Sequence, residues 1–367
     1  MNSPMRIDLF DLTESTPLIK HGYYYLAKNP ITTNKALPVL RVFAGNAPRH
    51  ITEQYIIDAK LFNTIEDGDI GMSNGKGSIR VILSRRANHN TLLLTERCDN
   101  LCMFCSQPPK NRDDSWLLDL AEKAILDFNF NGVIGLSGGE PLLYGEGLFE
   151  MLKSIRTLVP QTSLHILSNG RAFKDKKFAQ QIASLSNYGE IIFGIPLYAA
   201  SPEVHDQLVG SQGAFKDTVT GLINAGNSGI PIELRIIPTK LNYQQIPALV
   251  EFSARVFSSL SQISIMNLEP TGWAKKNWLD LYMSPDLYAD KLTDAIKFSK
   301  LSRIPVALFN YPRCHLPEKI RQFSVKSISD WKNYYPDECK DCLEKLACGG
   351  YFTSTNGERF DPPRSIQ

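Results

Sequence analysis

Strand-like and helix-like segments alternate regularly from about residue 91 to about residue 298. Six short apolar runs, each followed by a run with apolar residues at helical spacing, predict six βα units. The strand-like runs lie at residues 91–95, 132–137, 163–167, 190–197, 232–237 and 262–268. Repeated βα units build a parallel sheet, and about eight units are needed to close a barrel. The sequence therefore predicts an α/β fold, a partial (βα)6 barrel, with ligand chemistry at the carboxyl ends of its strands.

The regions on either side of this repeat lack the regular alternation of strand-like and helix-like runs. Residues 1–88 contain an Asp67-Gly68-Asp69 turn and a strand-like run at 79–83, which predict a small β-rich N-terminal domain. Such a domain either stabilises the barrel as a cap or helps to recognise a peptide by strand addition. The barrel is expected at 89–303, and residues 304–367 form a cysteine-rich tail punctuated by proline and glycine.

The charge balance and the hydropathy pattern exclude several classes of function. Lys and Arg number 40 and Asp and Glu number 38, so the net charge of +2 gives no electrostatic basis for tight, sequence-independent binding of nucleic acid. Neither a signal peptide nor a run of about 18 apolar residues is found, so no membrane span is expected. The expected location is the cytoplasm, where grouped cysteines bind metals or take part in catalysis more often than they form disulfides.

The seven cysteines fall into two groups. The first group, Cys98, Cys102 and Cys105, occupies the loop after the first strand-like run, where three thiolates can wrap a metal centre. A structural zinc ion needs four ligands, and the one further candidate nearby, His89, precedes the strand and would project from its opposite end. A [4Fe-4S] cluster is usually held by four cysteines, so three would leave one iron open to a small molecule.

The spacing Cys98-x3-Cys102-x2-Cys105, with aromatic Phe104 before the last cysteine, resembles the cluster-binding loop of the radical S-adenosylmethionine (SAM) superfamily. The resemblance implies that SAM binds the open iron of a [4Fe-4S] cluster. It also implies that an electron from the cluster cleaves SAM to methionine and a 5′-deoxyadenosyl radical, which abstracts a hydrogen atom from the substrate. Phe104 is counted among the candidate cofactor-binding residues on the same resemblance.

Further candidates for binding SAM follow the second, third and fifth strand-like runs. The segment Ser137-Gly138-Gly139-Glu140-Pro141 resembles the family's Gly-Gly-Glu segment, which implies contact with the methionine end of SAM. Ser168 and Asn169, after the third strand-like run, fall where related enzymes contact SAM. Arg235, on the fifth run, is a candidate partner for the carboxylate of SAM. The full set is Gly138, Gly139, Glu140, Ser168, Asn169 and Arg235. The alternative for Ser168 and Asn169 is an ordinary Asn-Gly turn without a role in binding. The alternative for Arg235 is a side chain that faces solvent.

The second group of cysteines lies in the tail and consists of Cys314, Cys339, Cys342 and Cys348. Four thiolates at this spacing suit a structural zinc knuckle. Behind a radical SAM barrel, the pattern Cys-x2-Cys-x5-Cys also resembles the auxiliary-cluster extensions of peptide-modifying members, the SPASM and shorter twitch domains. A full SPASM extension holds two auxiliary clusters and needs more cysteines. The resemblance therefore implies one auxiliary [4Fe-4S] cluster in a twitch-like domain, for electron relay or substrate positioning.

Residues 89–116, with Cys105-Ser106-Gln107-Pro108-Pro109-Lys110 at their centre, resemble the C-type radical SAM maturases of the His-Xaa-Ser system. Members are encoded beside a second radical SAM protein and a protein with His-Xaa-Ser repeats, which implies modification of a ribosomally made peptide. The implied partners are a peptide or small protein substrate, a second radical SAM maturase and a flavodoxin- or ferredoxin-type electron donor. Two alternatives stay open: radical chemistry on a small molecule or RNA, and a zinc-stabilised, non-catalytic scaffold that partners another maturase.

Overall fold

A computed structural model of the chain describes residues 9–11, 19–47, 54–185, 190–327, 332–355, 358 and 361–367, with the backbone alone for 9–11. The strands are β1 (Leu9–Asp11), β2 (Gly22–Ala27), β3 (Val39–Phe43), β4 (Gln54–Ile57), β5 (Ile70–Ser73), β6 (Ser78–Leu83), β7 (Asn90–Thr95), β8 (Gly132–Gly138), β9 (Thr162–Leu167), β10 (Ile191–Pro196), β11 (Ile232–Ile236), β12 (Leu260–Met266), β13 (Val306–Phe309), β14 (Ser324–Val325), β15 (Asn333–Tyr334) and β16 (Tyr351–Phe352). The helices are α1 (Ala59–Thr64), α2 (Trp116–Phe128), α3 (Glu146–Leu158), α4 (Lys176–Ala183), α5 (Pro202–Val209), α6 (Ala214–Asn227), α7 (Ile246–Val256), α8 (Gly272–Lys276), α9 (Trp278–Leu281), α10 (Ala289–Leu301) and α11 (Glu318–Arg321).

Within the described ranges, the largest sheet has eight parallel strands in the order β7-β8-β9-β10-β11-β12-β13-β14. Neighbours in this sheet are consecutive in the chain, which is the order that successive βα units produce. Strands β7 and β14 stand at its two ends, so the barrel is open. The predicted α/β partial barrel is therefore confirmed, and all six strand-like runs are present as β7 to β12.

The barrel sheet continues beyond the six predicted units. Strand β13 pairs with β12 from Ile263↔Val306 to Met266↔Phe309. The two-residue strand β14 then pairs with β13. The first part of the cysteine-rich tail therefore belongs to the same sheet as the barrel, and the turn after β13 leads directly to Cys314.

Side chains of the barrel strands alternate between two environments, as the two-residue period of a strand requires. In β9, Leu164 and Ile166 are buried in the main hydrophobic core, while His165 between them is only partly buried. In β11, Leu234 joins the same core and Glu233 and Arg235 lie on the opposite face. The helices thus cover an apolar outer face, and polar side chains face the interior of the open barrel.

The N-terminal region forms a second, mixed sheet with the order β1-β6-β5-β2-β3-β4 in the described residues, as expected for a β-rich domain. Strand β2 contributes side chains both to the core of this sheet and to the core of the barrel. Tyr24 and Leu26 pack into a small core with helix α1, whereas Tyr23 and Tyr25 pack into the main core of the barrel. Successive side chains point to opposite faces of a strand, so the consecutive tyrosines serve two interfaces at once.

Helix α2 fixes the N-terminal sheet to the barrel. The buried carboxylate of Asp127 accepts hydrogen bonds from Ala36 N at 3.0 Å and Leu37 N at 2.7 Å. In addition, Arg85 Nη2 donates to the carbonyl oxygen of Phe128 at 2.5 Å. A buried carboxylate that receives two backbone N–H groups holds its partners firmly. The described parts of the chain contain no helix long and apolar enough to cross a membrane.

Candidate functional site

The loop that carries the first cysteine group is docked on the end of helix α5. Leu101 N donates to Val209 O at 2.8 Å and Met103 N donates to Leu208 O at 2.9 Å, so the loop satisfies carbonyls that the helix end leaves free. Gly210, in a left-handed conformation with φ of +60°, allows this contact, because a Cβ atom there would lie 2.6 Å from Leu101 O.

The far side of the same loop is held by helix α8. Trp273 N donates to Cys105 O at 2.9 Å, and Asn277 Nδ2 donates to Met103 O at 2.7 Å. Gly272 has a φ of +49°, and a Cβ atom on it would collide with the Cys105 carbonyl oxygen. The sequence analysis did not identify Gly210, Gly272 or Asn277, and their spacing from the cysteines offers no signal by which they could be found.

The three thiols of this loop are free and lie in surroundings that oppose ionisation. Burial raises the pKa of Cys98 to about 12, and it also raises the pKa of Cys102 and Cys105. Asn100 N donates a long hydrogen bond of 3.4 Å to Cys98 Sγ. Thiolates are the form that ligates metals. Buried thiols with few donors therefore suit a cationic metal centre, which would supply the charge that stabilises the thiolates.

The Gly-Gly-Glu turn lies against the backbone of the residues that precede Cys98. Gly139 N donates to Thr95 O and Glu140 N donates to Arg97 O, both at 2.8 Å. A Cβ atom on Gly139 would collide with the Arg97 carbonyl oxygen, so this position requires glycine. The ends of β7 and β8 are thereby joined directly beside the cysteine loop.

The carboxylate of Glu140 is almost fully buried and is an acceptor within the site. It accepts hydrogen bonds from Leu142 N at 2.8 Å, Ser168 Oγ at 2.7 Å and Asn169 N at 2.5 Å. Burial raises the pKa of Glu140 to about 7, against the lowering effect of these hydrogen bonds. Asn169 Nδ2 also donates to Asp99 Oδ1 in the cysteine loop at 2.6 Å. The structure therefore brings together Gly138 to Glu140, Ser168, Asn169 and the loop of Cys98.

Arg171 connects the loop of the first cysteine group to helix α6. Its Nη1 donates to Asp99 O at 3.0 Å and to Asn100 Oδ1 at 2.9 Å, and its Nη2 donates to Asp217 Oδ2 at 3.2 Å. Gly170 before it has a φ of +73°, which matches the Asn-Gly turn that the sequence offered as an alternative for Ser168 and Asn169. The Asn-Gly turn is therefore present, and it also places Ser168 and Asn169 against Glu140.

A second polar group lies inside the barrel on β9 and β11. His165 Nε2 lies 2.7 Å from Glu233 Oε2, and Arg235 Nη1 lies 3.8 Å from the same oxygen. Burial alone would raise the pKa of Glu233, but His165 and the positive charge of Arg235 lower it to about 2. Gly194 on the intervening strand leaves room for them, because a Cβ atom there would lie 3.1 Å from both Arg235 Cδ and His165 Nε2.

Arg235 has unused hydrogen-bonding capacity in this position. Its Nη2 donates to Met266 Sδ at 2.9 Å, whereas its buried Nη1 makes no hydrogen bond with any described residue. Arg235 is therefore not the solvent-facing arginine of the alternative. The aromatic ring of Tyr198, 4.8 Å from that of Phe104, packs between the barrel strands and the cysteine loop. The histidines are dispersed along the sequence, so the sequence analysis did not identify the pairing of His165 with Glu233.

The four tail cysteines line one pocket, together with Arg313, Tyr335 and Tyr351. Backbone donors face two of the thiols. Cys348 Sγ accepts from Arg313 N at 3.3 Å and Gly350 N at 3.4 Å, and Cys342 Sγ accepts from Ile366 N at 3.4 Å. Thus the structure brings Cys314, Cys339, Cys342 and Cys348 together although Cys314 follows β13 and the other three lie close to β16.

His315, next to Cys314 in the chain, is held by hydrogen bonds beside this pocket. The buried ring of His315 lies between Asp286 Oδ2, at 2.7 Å from Nδ1, and Tyr351 Oη, at 3.0 Å from Nε2. Burial alone would raise the pKa of Cys314, but His315 and its other neighbours lower it. Over the described residues, no three His, Cys, Asp or Glu side chains are arranged to hold a single metal ion. The two cysteine groups offer donor atoms and suitable surroundings rather than a preformed single-ion site.

Comparison with known proteins identifies the barrel. Residues 92–253 match the model of the radical SAM superfamily. This segment of the chain is similar to the radical SAM superfamily. The radical SAM segment covers the first cysteine group, the Gly-Gly-Glu turn, Ser168, Asn169 and Arg235. The match agrees with the expected superfamily over this segment, and the cysteine loop and the SAM-binding candidates all lie inside the matched region.

Three curated relatives illustrate the range of proteins that the chain resembles. The sporulation killing factor maturation protein SkfB of Bacillus subtilis is 26% identical over 170 residues, 44% of this chain and 38% of that protein. The PqqA peptide cyclase of Rhizobium meliloti is 25% identical over 193 residues, 50% of this chain and 48% of that protein. A probable GTP 3′,8-cyclase of Metallosphaera sedula is 25% identical over 191 residues, 50% of this chain and 57% of that protein.

A solved structure supports the fold over a longer part of the chain. The structure of native anSMEcpe with bound AdoMet and a Cp18Cys peptide matches with a TM-score of 0.51 at 14% identity, over 76% of this chain and 92% of that chain. At this identity the match shows the fold alone. The chain spans roughly half the length of the curated relatives it matches.

Proposed function

We propose that the protein is a radical SAM enzyme that reductively cleaves SAM to a 5′-deoxyadenosyl radical and modifies a ribosomally made peptide or protein. The single observation that carries this proposal is the hydrogen-bonded connection of three strand ends. The cysteine loop after β7, the Gly-Gly-Glu turn after β8 and the Ser168-Asn169 turn after β9 are bonded to one another through Glu140, Arg97 and Asp99.

Cys98, Cys102 and Cys105 would hold a [4Fe-4S] cluster with one iron left for SAM. When bound, this cluster supplies the electron that cleaves SAM. The chain's own residues bind and orient the cofactor. Gly138 and Gly139 let the backbone of the turn come close to a ligand because they lack side chains. Glu140, with its carboxylate bonded to Ser168 and Asn169, fixes that turn and is a positioning residue rather than an exposed carboxylate.

Arg235 is the proposed partner of the SAM carboxylate. Its buried Nη1 makes no hydrogen bond within the described residues, and a charge-assisted bond to a carboxylate would satisfy it. The carboxylate of Glu233, 2.7 Å from His165 Nε2, also lies 3.8 Å from Arg235 Nη1, within ion-pair distance. Phe104 and Tyr198 form an apolar layer beside the cysteines, which helps to keep water away from the reacting atoms.

The proposed substrate class is a peptide, and more finely a His-Xaa-Ser repeat protein. One relative is named a peptide cyclase and another a sporulation killing factor maturation protein, and residues 89–116 resemble the maturases of the His-Xaa-Ser system. The N-terminal sheet would then assist substrate binding. A second candidate, chemistry on a small molecule, is favoured by the likeness to a probable GTP 3′,8-cyclase.

The tail cysteines are proposed to hold one auxiliary [4Fe-4S] cluster. Four thiols line one pocket, and three backbone N–H groups point at thiol sulfurs there, as in sites where such bonds tune the reduction potential. Structural zinc would use the same four thiols, so metal content decides between them. A second radical SAM maturase and a flavodoxin- or ferredoxin-type donor are the further proposed partners.

The test is anaerobic reconstitution with iron and sulfide, followed by addition of SAM and dithionite. Wild type should contain about eight irons per chain, for two cubane clusters, and should release 5′-deoxyadenosine. Cys98→Ala should lose deoxyadenosine and about half of the iron. Incubation with a His-Xaa-Ser repeat protein should change that protein's mass. Zinc in both sites without cleavage of SAM would support the scaffold alternative instead.

A further inference from the structure

An open groove with a basic rim lies on the outside of the barrel between helices α10 and α11. Its floor is formed by Ile296, Ile320 and Phe323, and its rim carries Lys297, Lys300 and Lys319. Among the described residues, no acidic side chain lines it. The chain as a whole has a net charge of only +2, so three lysines around one apolar floor are a local concentration of positive charge. We refer to these six residues as the lysine groove.

The lysines of the groove are available to a partner. All three are exposed, and none forms an ion pair with a carboxylate in the part of the chain that the structure describes. Lys300 Nζ lies 4.8 Å above the ring of Phe323, so its charge is held over the apolar floor. Unpaired charges around an apolar centre are the surface to which an oppositely charged protein is steered.

A short path leads from this groove to the pocket of the tail cysteines. Phe323 is followed by Ser324, whose Oγ accepts a hydrogen bond from Gly349 N at 3.0 Å. Gly349 follows Cys348 directly, and Ser324 Oγ also donates to Tyr311 O at 2.7 Å. The floor of the groove is therefore connected to a thiol of the second cysteine group through one hydrogen bond and the covalent bonds of Phe323, Ser324 and Cys348.

We infer that the lysine groove is the docking surface for an acidic protein that carries a low-potential one-electron centre, and that the electron enters through the tail cysteine pocket. This inference rests on the proposed auxiliary cluster. In the step, the donor's reduced centre loses one electron and the iron–sulfur centre at Cys348 gains it, and no covalent bond forms or breaks. The three lysines attract the acidic donor and orient it on the groove. The apolar floor then packs against the donor and excludes water next to the path that leads to Cys348.

The test measures transfer from flavodoxin hydroquinone, an acidic flavoprotein, to the reconstituted full-length protein by stopped-flow absorbance. The variant carries Lys297→Glu, Lys300→Glu and Lys319→Glu. Its matched control carries Lys176→Glu, Lys177→Glu and Lys216→Glu, three exposed lysines on α4 and α6 that make the same change in charge. At low ionic strength the groove variant should be reduced about tenfold to a hundredfold more slowly, and its rate should lose most of its salt dependence.

Reduction by dithionite, a small reagent that needs no docking surface, should proceed equally in wild type, the groove variant and the control. Direct binding of oxidised flavodoxin should also weaken in the groove variant alone, a readout that does not depend on turnover. A triple Lys→Gln variant should fall between wild type and the triple Glu variant. Matched circular dichroism and melting temperatures verify that all three variants fold.

The possible failures are distinguishable from failure of the proposed function. Equal rates of flavodoxin oxidation in the groove variant and the control, in protein with about eight irons, overturn the docking surface alone. Zinc in the tail pocket overturns both the auxiliary cluster and this electron path. If the groove variant is reduced normally but binds an acidic substrate peptide less tightly, the groove belongs to the substrate, and the inference is wrong.

Discussion

Asn169 donates its backbone N–H to Glu140 Oε2 over 2.5 Å, which joins the turn after β9 to the turn after β8. Ser168 Oγ donates to the other carboxylate oxygen at 2.7 Å. Because Glu140 N donates in turn to the carbonyl of Arg97, beside Cys98, one glutamate connects three strand ends. The glutamate of this motif therefore holds the turns after β8 and β9 against the cysteine loop.

Replacing Glu140 with alanine should destabilise the protein. The change leaves Leu142 N, Ser168 Oγ and Asn169 N without their acceptor, and buried unpaired donors cost about 1 to 3 kcal/mol each before relaxation. We expect the free energy of unfolding, measured with urea on the metal-free protein, to fall by about 3 kcal/mol. Glu140→Gln keeps one acceptor oxygen and should lose about half as much.

The control for this prediction is Glu150→Ala, which removes an exposed carboxylate of helix α3. Its effect should stay within about 0.5 kcal/mol of wild type. If Glu140→Ala proves as stable as this control, the carboxylate does not hold the site together.

Gly139→Ala should separate cofactor binding from metal binding. A Cβ atom at this position collides with the Arg97 carbonyl oxygen, so the turn must move away from the cysteine loop. The affinity for SAM, measured by equilibrium dialysis without a reductant, should fall by about tenfold or more. Iron content should remain near the wild-type value, because the three thiols are untouched.

Gly147→Ala is the matched control for Gly139→Ala. Gly147 lies in helix α3, where a new Cβ atom would meet only Leu118 Cδ2 at 3.4 Å. Alanine is the better helix former by about 1 kcal/mol, so this variant should be as stable as wild type or more stable and should bind SAM normally. Equal SAM affinity in the two variants would show that the Gly-Gly-Glu turn is not part of the binding site.

The sequence predicts those parts of the site that lie within one loop and at strand ends. The spacing of Cys98, Cys102 and Cys105 is local, and the βα period places the turn at Gly139 at the same edge of the sheet. Contacts that depend on strand register cannot be predicted from the sequence in this way. His165 and Glu233 meet because β9 and β11 flank the small residue Gly194, and no local pattern encodes that pairing.

The same distinction explains what was missed around the cysteine loop. Gly210 and Gly272 resemble ordinary turn glycines in the sequence, and only the folded chain shows that each faces a carbonyl of the loop. The two-residue strand β14 was also missed, because two residues carry no measurable periodicity and their pairing with β13 depends on the barrel.

Arg235→Met should weaken the binding of SAM. Among the described residues, the buried Arg235 Nη1 makes no hydrogen bond, and a charge-assisted hydrogen bond to a carboxylate contributes about 1.5 to 3 kcal/mol. The dissociation constant for SAM should therefore rise by about tenfold to a hundredfold. Arg235→Lys keeps the charge but lacks the planar fork and should give an intermediate value.

Arg255→Met serves as the control, since Arg255 is exposed on helix α7 and pairs with Glu251 four residues earlier. It should bind SAM as wild type does. Unchanged affinity in Arg235→Met would remove Arg235 from the SAM-binding residues and leave its interaction with Glu233 as its only role.

Acidification should destabilise the metal-free protein through His205. This histidine is buried beneath the cysteine loop, where Nδ1 accepts a hydrogen bond from Tyr198 N at 3.2 Å. Burial lowers the pKa of His205 from 6.5 to about 4. The unfolded chain therefore binds a proton between these values while the folded protein does not, so stability is full above pH 6.5 and is lost as the pH falls toward 4. One unit below 6.5, the loss should be about 1.4 kcal/mol.

His205→Asn provides the comparison, because its side-chain oxygen can still accept from Tyr198 N but does not titrate. Urea unfolding at pH 7.5 and pH 5.5 should show a smaller decrease in stability for this variant than for wild type, by about 1.4 kcal/mol. His89→Asn, at an exposed histidine, should retain the full wild-type decrease. Other titrating groups contribute equally to all three proteins, so the difference isolates His205. An equal decrease in wild type and His205→Asn would mean that the folded protein accepts a proton at His205 as readily as the unfolded chain does.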